Sequence, residues 1–309
     1  MPGLKQIKSK IRSVGKTGKV TKAMEAVSAV KMRKGQQMAI TARPYALAAL
    51  HILRRTSTSS DVARHPLLRT REKVRRLAVL LITSDKGLAG ALNSAVLKAV
   101  REELGRLHLP KDHVDFYCIG RKGKDHFEKR GHAVIAYHEN ASDSAVLSDV
   151  RRVTDALAAR FEKGEYDRCL IGYQSFVSTF EQRPTVRTLL PISEKELDAV
   201  VSGILPSRGK FADVRKVSEP SILYTLEPDP EQVLRELLPD LLNIQIYHSL
   251  LESKASEHSA RMVAMKSASD KARDLGKELT LDFNKARQAA ITREVSEIIG
   301  GIEAMQNSH

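Results

Sequence analysis

Asp229–His309 reads DPEQVLRELLPDLLNIQIYHSLLESKASEHSARMVAMKSASDKARDLGKELTLDFNKARQAAITREVSEIIGGIEAMQNSH. Beyond Pro230 it holds one proline, Pro239, and glycine only at Gly276, Gly300 and Gly301. Apolar or small residues recur at steps of three and four and their multiples: Leu234, Leu237, Leu241, Ile244, Leu251, Ala255, Met262, Met265, Ala272, Leu279, Phe283, Ala286. That spacing averages about 3.5 residues and predicts a helix whose narrow seam faces a second helix. At 1.5 Å per residue it would run roughly 100 Å, several times a small domain's diameter. A chain of 309 residues cannot wrap such a rod, so part of it is expected to project toward other chains.

A partner for that seam lies at the other end of the sequence. Leu4, Ile7, Ile11 and Val14 begin a stripe that Val20, Met24, Val27, Met38, Tyr45 and Ile52 continue, predicting a helix over residues 3–57. Gly15, Gly18 and Gly35 each cost such a helix about 1 kcal/mol relative to alanine, and Lys5, Lys8 and Arg12 repel along one face. The helix therefore needs support along its length. Gly18 is expected to let two backbones approach, and Pro44 to bend the helix near Thr41.

The charge is lopsided. Of a net +14, the first 57 residues carry +12, with thirteen Lys and Arg against Glu25 alone. So basic a helix calls for an anionic counterpart: nucleic acid, acidic lipid or acidic protein loops. Aromatic residues make up 5% of the chain and none interleaves with the lysines, which argues against base stacking. No apolar run is long enough to span a bilayer, and MPGLKQIKSKIRS at the N-terminus lacks the apolar core of a secretory signal. Cys118 and Cys169 each sit in an apolar, strand-like run and read as two buried thiols.

Between the helices the period changes. Arg76–Thr83, Val114–Ile119, Ala133–Tyr137 and Asp167–Tyr173 read as strands, with helices over 91–107, 122–129 and 146–163, and Thr185–Pro191 as a hairpin-like edge. Alternating strands and helices predict a small three-layer α/β, Rossmann-like domain with a largely parallel sheet. The expected organisation is an N-terminal helix over 1–57, an α/β domain over 74–220 and a C-terminal helix over 229–309. Residues 194–220 read as an insertion broken by Gly203, Pro206, Gly209 and Pro220.

The motifs that could carry catalysis are incomplete. Thr83–Asn93, TSDKGLAGALN, joins a strand to a helix where a phosphate could bind, but only Gly87 and Gly90 of the G-x-G-x-x-G pattern are present. Gly15-Lys16-Thr17 ends like a P-loop, yet Lys10 stands where its leading glycine belongs and no strand precedes it. His126, His132 and His138 fall six apart, a spacing that places no two on one helical face; His248 and His258 sit on the seam and read as packed or partner-facing. No catalytic, cofactor-binding or metal-binding set is assigned.

Four blocks in order resemble the gamma-subunit family of bacterial F-type ATP synthases, over essentially the whole chain. They are Ile7–Val14 (IKSKIRSV) leading through Thr21–Val27 (TKAMEAV), Lys31–Lys34 and Ala42–Ala46 (ARPYA); Thr83–Asn93; Glu227–Pro230 (EPDP); and Ala255–Lys266 (ASEHSARMVAMK) with Phe283–Glu294 (FNKARQAAITRE). The resemblance implies a non-catalytic rotor: an antiparallel coiled coil of the terminal helices inside a hexamer of alternating alpha and beta subunits. The α/β domain would then stand on a membrane ring of c subunits beside an epsilon subunit, on the cytoplasmic face of the inner membrane. Ion flow through the ring would turn the shaft, and the beta subunits would carry out the phosphoryl transfer. Contacts to the beta-subunit catch loop would map onto Arg287 and Gln288 with Thr292 and Glu297 nearby, and coupling positions onto Met24, Arg261 and Glu294. Contacts to the c ring would map onto Tyr224 and Glu227. Lys86 stands where the family often has arginine, and Arg293 where an uncharged residue is common. The rival class is a basic coiled-coil protein that binds nucleic acid, which predicts salt-steep DNA binding by the isolated chain. An enzyme in the α/β domain comes third.

Overall fold

The computed structural model describes residues 3–56, 65–71, 73–140, 147–193 and 230–306. The insertion at 194–220, together with Tyr224 and Glu227, lies outside the described residues. By its internal contacts the chain divides into two compact units, Met1–Val27 with Met262–His309, and Ser28–Arg261. Two helices contribute to both units: α1, Leu4–Thr56, which runs on through Pro44, and the C-terminal helix, Pro230–Gln306.

The larger unit holds a five-stranded sheet. Its elements are β1 (Leu77–Ile82), α2 (Leu92–Leu107), β2 (Val114–Ile119), α3 (Arg121–Glu128), β3 (Ala133–His138), α4 (Leu147–Glu162), β4 (Arg168–Phe176) and β5 (Gln182–Leu190), after which comes the C-terminal helix, here α5. The strand order is β3-β2-β1-β4-β5. The first four strands are parallel, and β5 returns antiparallel to β4 as a hairpin edge. Strand β4 extends three residues further than the apolar run Asp167–Tyr173 indicates, because Gln174–Phe176 pair with Gln182–Pro184 of the hairpin.

β1 and β2 are buried at every position, as strands covered on both faces must be. Alternation sorts their side chains into two layers. Ala78, Leu80, Ile82, Tyr117 and Ile119 meet α4 through Val153, Leu157 and Phe161, and α5 through Leu238, Leu242 and Ile246. Leu77, Val79, Leu81, Phe116 and Cys118 meet α2 through Val96 and Val100, and α3 through Phe127. Gly120 closes β2 with φ +104°, and a Cβ there would fall 1.9 Å from the Thr83 carbonyl oxygen, so no other residue fits that crossing.

The 3.5-residue spacing predicted a narrow seam along all of α5. In the larger unit the helix is a core element instead: from Leu241 to Arg261 almost every residue is buried, polar ones included. The strands and α1 cover it from several sides, so a periodic apolar stripe understates its burial.

Candidate functional site

In the smaller unit α1 and α5 run antiparallel. A Cβ on Gly18 would stand 3.5 Å from that of Ala272, and one on Gly276 would stand 4.0 Å from Val14 Cγ1. Ser269 Oγ donates to the Gly18 carbonyl at 3.5 Å. A Cβ at Gly18 would make only ordinary contact with the Ala272 methyl, so the helices lie side by side here without the position requiring glycine. Beside this crossing lies an open groove of about 730 Å³ whose lining includes the small residues Gly15, Gly18 and Ala272 and the charged Lys19, Lys22, Asp270 and Arg273. Lys22 pairs with Glu25 at 3.1 Å, and Arg273 pairs with Asp270. Met24 is half-buried on α1 in the same unit.

The register set by these crossings brings the start of α1 beside the Phe283–Ala286 turn of α5. Ile7, 7% exposed, is the last well-buried residue toward that end. Past it α5 continues for about twenty residues, roughly 30 Å at 1.5 Å per residue, with no described residue of α1 alongside. Ile291, Val295, Ile298 and Ile302 follow at steps of four, three and four, making one apolar face that is exposed at 51%, 48%, 63% and 52%. Arg287, Glu294 and Glu297 fall on one side of this stripe, Gln288 and Thr292 on the other, and all five are exposed. The structure thus gathers five of the sequence-predicted contact residues around one apolar stripe. Met24 lies some five turns back along the pair, level with about Lys266.

Arg261 is placed differently. It belongs to the larger unit, is 8% exposed, and donates through Nη2 to Glu257 Oε1 at 2.6 Å and to the Gly87 carbonyl at 3.2 Å. Sequence reasoning did not single out Glu257, although its place four residues before an arginine on a helix was the available signal.

These bonds belong to a wider closure. Doubly wound sheets take ligands at the carboxyl ends of their central strands, where the strand order reverses. Here that edge is tied to itself and to α5. Asn140 Nδ2 donates to the Thr83 carbonyl at 2.8 Å, Gln174 Nε2 to the Leu92 carbonyl at 2.6 Å, and Ser256 Oγ to the Gln174 carbonyl at 3.2 Å. Ser259 Oγ reaches the Thr179 carbonyl at 2.6 Å. α5 reaches the Gly87–Gly90 turn through Arg261 Nη2 alone, and no described atom lies within 4 Å of where a Cβ on Gly87 or Gly90 would sit.

Burial pushes the Cys118 thiol up to about 12 and raises that of Cys169 as well, so neither is a thiolate at neutral pH. His126 and His132 pack edge-on to Phe127, and burial followed by neighbouring cations lowers both below the ordinary histidine value. His248 is buried and bonds through Nε2 to the Ala39 carbonyl at 3.3 Å, a packed seam residue.

Comparison with known proteins supplies the family. A family model described as ATP synthase matches residues 3–305. The ATP synthase gamma chain of Heliobacterium modesticaldum is 40% identical over 307 residues, covering 99% of this chain and 100% of that one. That of Chlorobium phaeobacteroides is 38% identical over 310 residues, with 99% of each covered. Among solved structures, a chain of the Euglena gracilis mitochondrial ATP synthase (OSCP/F1/c-ring) aligns with a TM-score of 0.65 at 20% identity, covering 98% of this chain and 94% of that one. A chain of the Tetrahymena thermophila ATP synthase central stalk and c ring aligns with a TM-score of 0.59 at 21% identity, covering 81% and 99%. At those identities the structural likeness speaks to the fold.

Proposed function

The chain belongs to the ATP synthase gamma chain family, and we propose on that premise that its paired terminal helices are the shaft through which ion-driven rotation reaches the catalytic subunits. It is the central-stalk rotor subunit of an F-type ATP synthase, and not itself a catalyst. The observation that carries the reading is the coincidence of a match from residue 3 to residue 305 with an antiparallel crossing of the two ends of the chain at Gly18 and Ala272.

The shaft turns inside a hexamer of alpha and beta subunits. Arg287 offers a planar fork to a carboxylate on the beta catch loop, a bond that forms and breaks as each beta subunit passes. Gln288, Thr292, Glu294 and Glu297 complete that contact, while the stripe from Ile291 to Ile302 bears on an apolar sleeve. The groove lined in part by Lys19, Lys22 and Arg273 receives an acidic loop of the surrounding subunits. The α/β domain, residues 74–220, stands on the c ring beside epsilon, with Tyr224 and Glu227 meeting the ring. Membrane attachment is then peripheral, on the cytoplasmic face of the inner membrane; among the described residues no helix is long and apolar enough to cross a bilayer. The basic first helix, which by charge alone could have served nucleic acid, is matched end to end within this family and serves acidic protein loops.

The test is to purify the tagged chain from its native membrane. Alpha, beta, epsilon and c subunits should travel with it in fixed proportion. Recovery without alpha and beta, or retention on DNA that fades steeply with salt, would defeat the reading.

A further inference from the structure

The loop after β1 is held by several side-chain hydrogen bonds. Ser84 Oγ donates to the Lys86 carbonyl at 2.6 Å, Asn93 Oδ1 accepts from Ser84 N at 3.1 Å, and Asn93 Nδ2 donates to Ser84 Oγ at 2.7 Å. Arg121 N donates to Asp85 Oδ1 at 2.8 Å. Leu88, at φ +63° and 63% exposed, adopts a left-handed backbone that leucine seldom takes. Such a conformation persists only where its surroundings over-determine it, and it points to function more often than to folding. A further tie, Arg261 Nη2 to the Gly87 carbonyl, comes from α5, and the same nitrogen is held by Glu257 Oε1 at 2.6 Å. Both side chains are nearly buried, at 10% and 12% exposed.

We propose that Glu257 is a positioning residue: it aims the Arg261 guanidinium at the Gly87 carbonyl and so makes the Asp85–Leu88 loop and α5 one mechanical element. Without the carboxylate the guanidinium would keep on α5 only the long 3.5 Å contact of Nη1 with His258 Nδ1, so the bond one turn back is what fixes Nη2. The electrostatics agree. Burial raises the Glu257 carboxyl and Asp85 adds to the rise, while Arg261 first and Lys254 after it pull it back. For the rotor proposed above, which this inference deepens, the clamp is where the α/β domain grips the shaft helix.

The test uses the full chain and the rate of tryptic cleavage after the exposed Lys86, read by mass spectrometry. Glu257→Leu should raise that rate at least five-fold, and Glu257→Gln less, because its amide oxygen still accepts from Arg261. In an Arg261→Met background, Glu257→Leu should add nothing further. An unchanged rate in Glu257→Leu, or an additional increase in the Arg261→Met background, overturns the proposal, the second because it would show a packing role independent of the arginine. If Glu257→Leu fails to fold, Glu257→Gln alone and in Arg261→Met carries the same comparison. In the reconstituted complex, protons pumped per ATP hydrolysed should fall in Glu257→Leu, and an unchanged ratio overturns the link to coupling. Failure of the wild-type chain to assemble with alpha and beta would sink the rotor reading while leaving the cleavage result to decide the clamp.

Discussion

Asp167 carries more of the larger unit than its place in a turn suggests. It accepts from Arg71 Nη1 at 2.8 Å, from Arg75 N at 2.7 Å and from Arg76 N at 2.9 Å, tying the approach to β1 to the approach to β4. Burial alone would raise its carboxyl, but the three donors outweigh burial and hold it below the ordinary value of 3.8. A depressed carboxylate stabilises the fold above its unfolded value and loses that contribution as pH falls through the folded one. Asp167→Asn should therefore cost about 1.5–3 kcal/mol near neutral pH, the range for hydrogen bonds to a charged group. The deficit should begin to shrink below about pH 4, where the unfolded chain's carboxyl takes up a proton that the folded one still resists, and close as pH falls through the depressed folded value; urea unfolding across pH reads it, and a deficit constant down to about pH 2 would refute the assignment. Met24 tests the smaller unit in the same way. Met24→Asp places a carboxylate at a half-buried site, at a cost on the order of 1–3 kcal/mol, and should loosen the helix pair and lower protons pumped per ATP. An unchanged ratio would remove Met24 from the coupling positions.

The helices show how far periodicity reaches. A step of 3.5 residues announced that α5 meets another helix, and the crossings at Gly18 and Ala272 in one unit and at Gly35 and Ala255 in the other are such meetings. What the period could not convey is that Leu238–Arg261 is also a core helix beneath a sheet. Its polar positions Gln245, Ser249, Glu252, Ser253, Ser256 and Ser259 look like a solvated face on a helical wheel and are buried by elements remote in sequence. The strands were legible because β1 and β2 are continuous apolar runs, and the two residue layers of their neighbours follow from alternation. The contact roles proposed for Arg287, Gln288, Thr292, Glu294 and Glu297 come only through the family, since on a stretch with no described residue of α1 alongside nothing within the chain assigns a role to its polar side chains. Glu257 escaped for the opposite reason: its significance lies in a carbonyl 170 residues away, at Gly87. Close packing at Gly18 yields a prediction for the pair. Gly18→Leu forces a branched side chain into contact with Ala272, and should lower helix-pair stability by about 1–3 kcal/mol as overpacking does; thermal unfolding followed by circular dichroism at the helical band checks it, and an unshifted transition would contradict the crossing.

For the assembled chain, charge placement sets the expected salt behaviour. Lys8, Lys10 and Lys34 are exposed on a helix that carries most of the net charge. Replacing them together with Lys31 by Gln should weaken assembly with alpha and beta at low ionic strength, and the difference from wild type should close above roughly 0.5 M salt as the Debye length drops to a few ångström. Equal assembly at every salt concentration would separate the basic helix from partner recognition. The central claim, that the two ends of the chain turn as one shaft, can be put to a single covalent test. The Cβ separation of 3.5 Å at Gly18 and Ala272 lies within disulfide range, and the buried native thiols, Cys118 and Cys169, leave little background. ATP-driven proton pumping should be measured in the assembled enzyme carrying Gly18→Cys with Ala272→Cys, before and after oxidation. The disulfide should form readily and leave pumping at its reduced-state level, because helices that move together lose nothing when joined. A bond that does not form, or one whose formation stops pumping until it is reduced, would contradict the account.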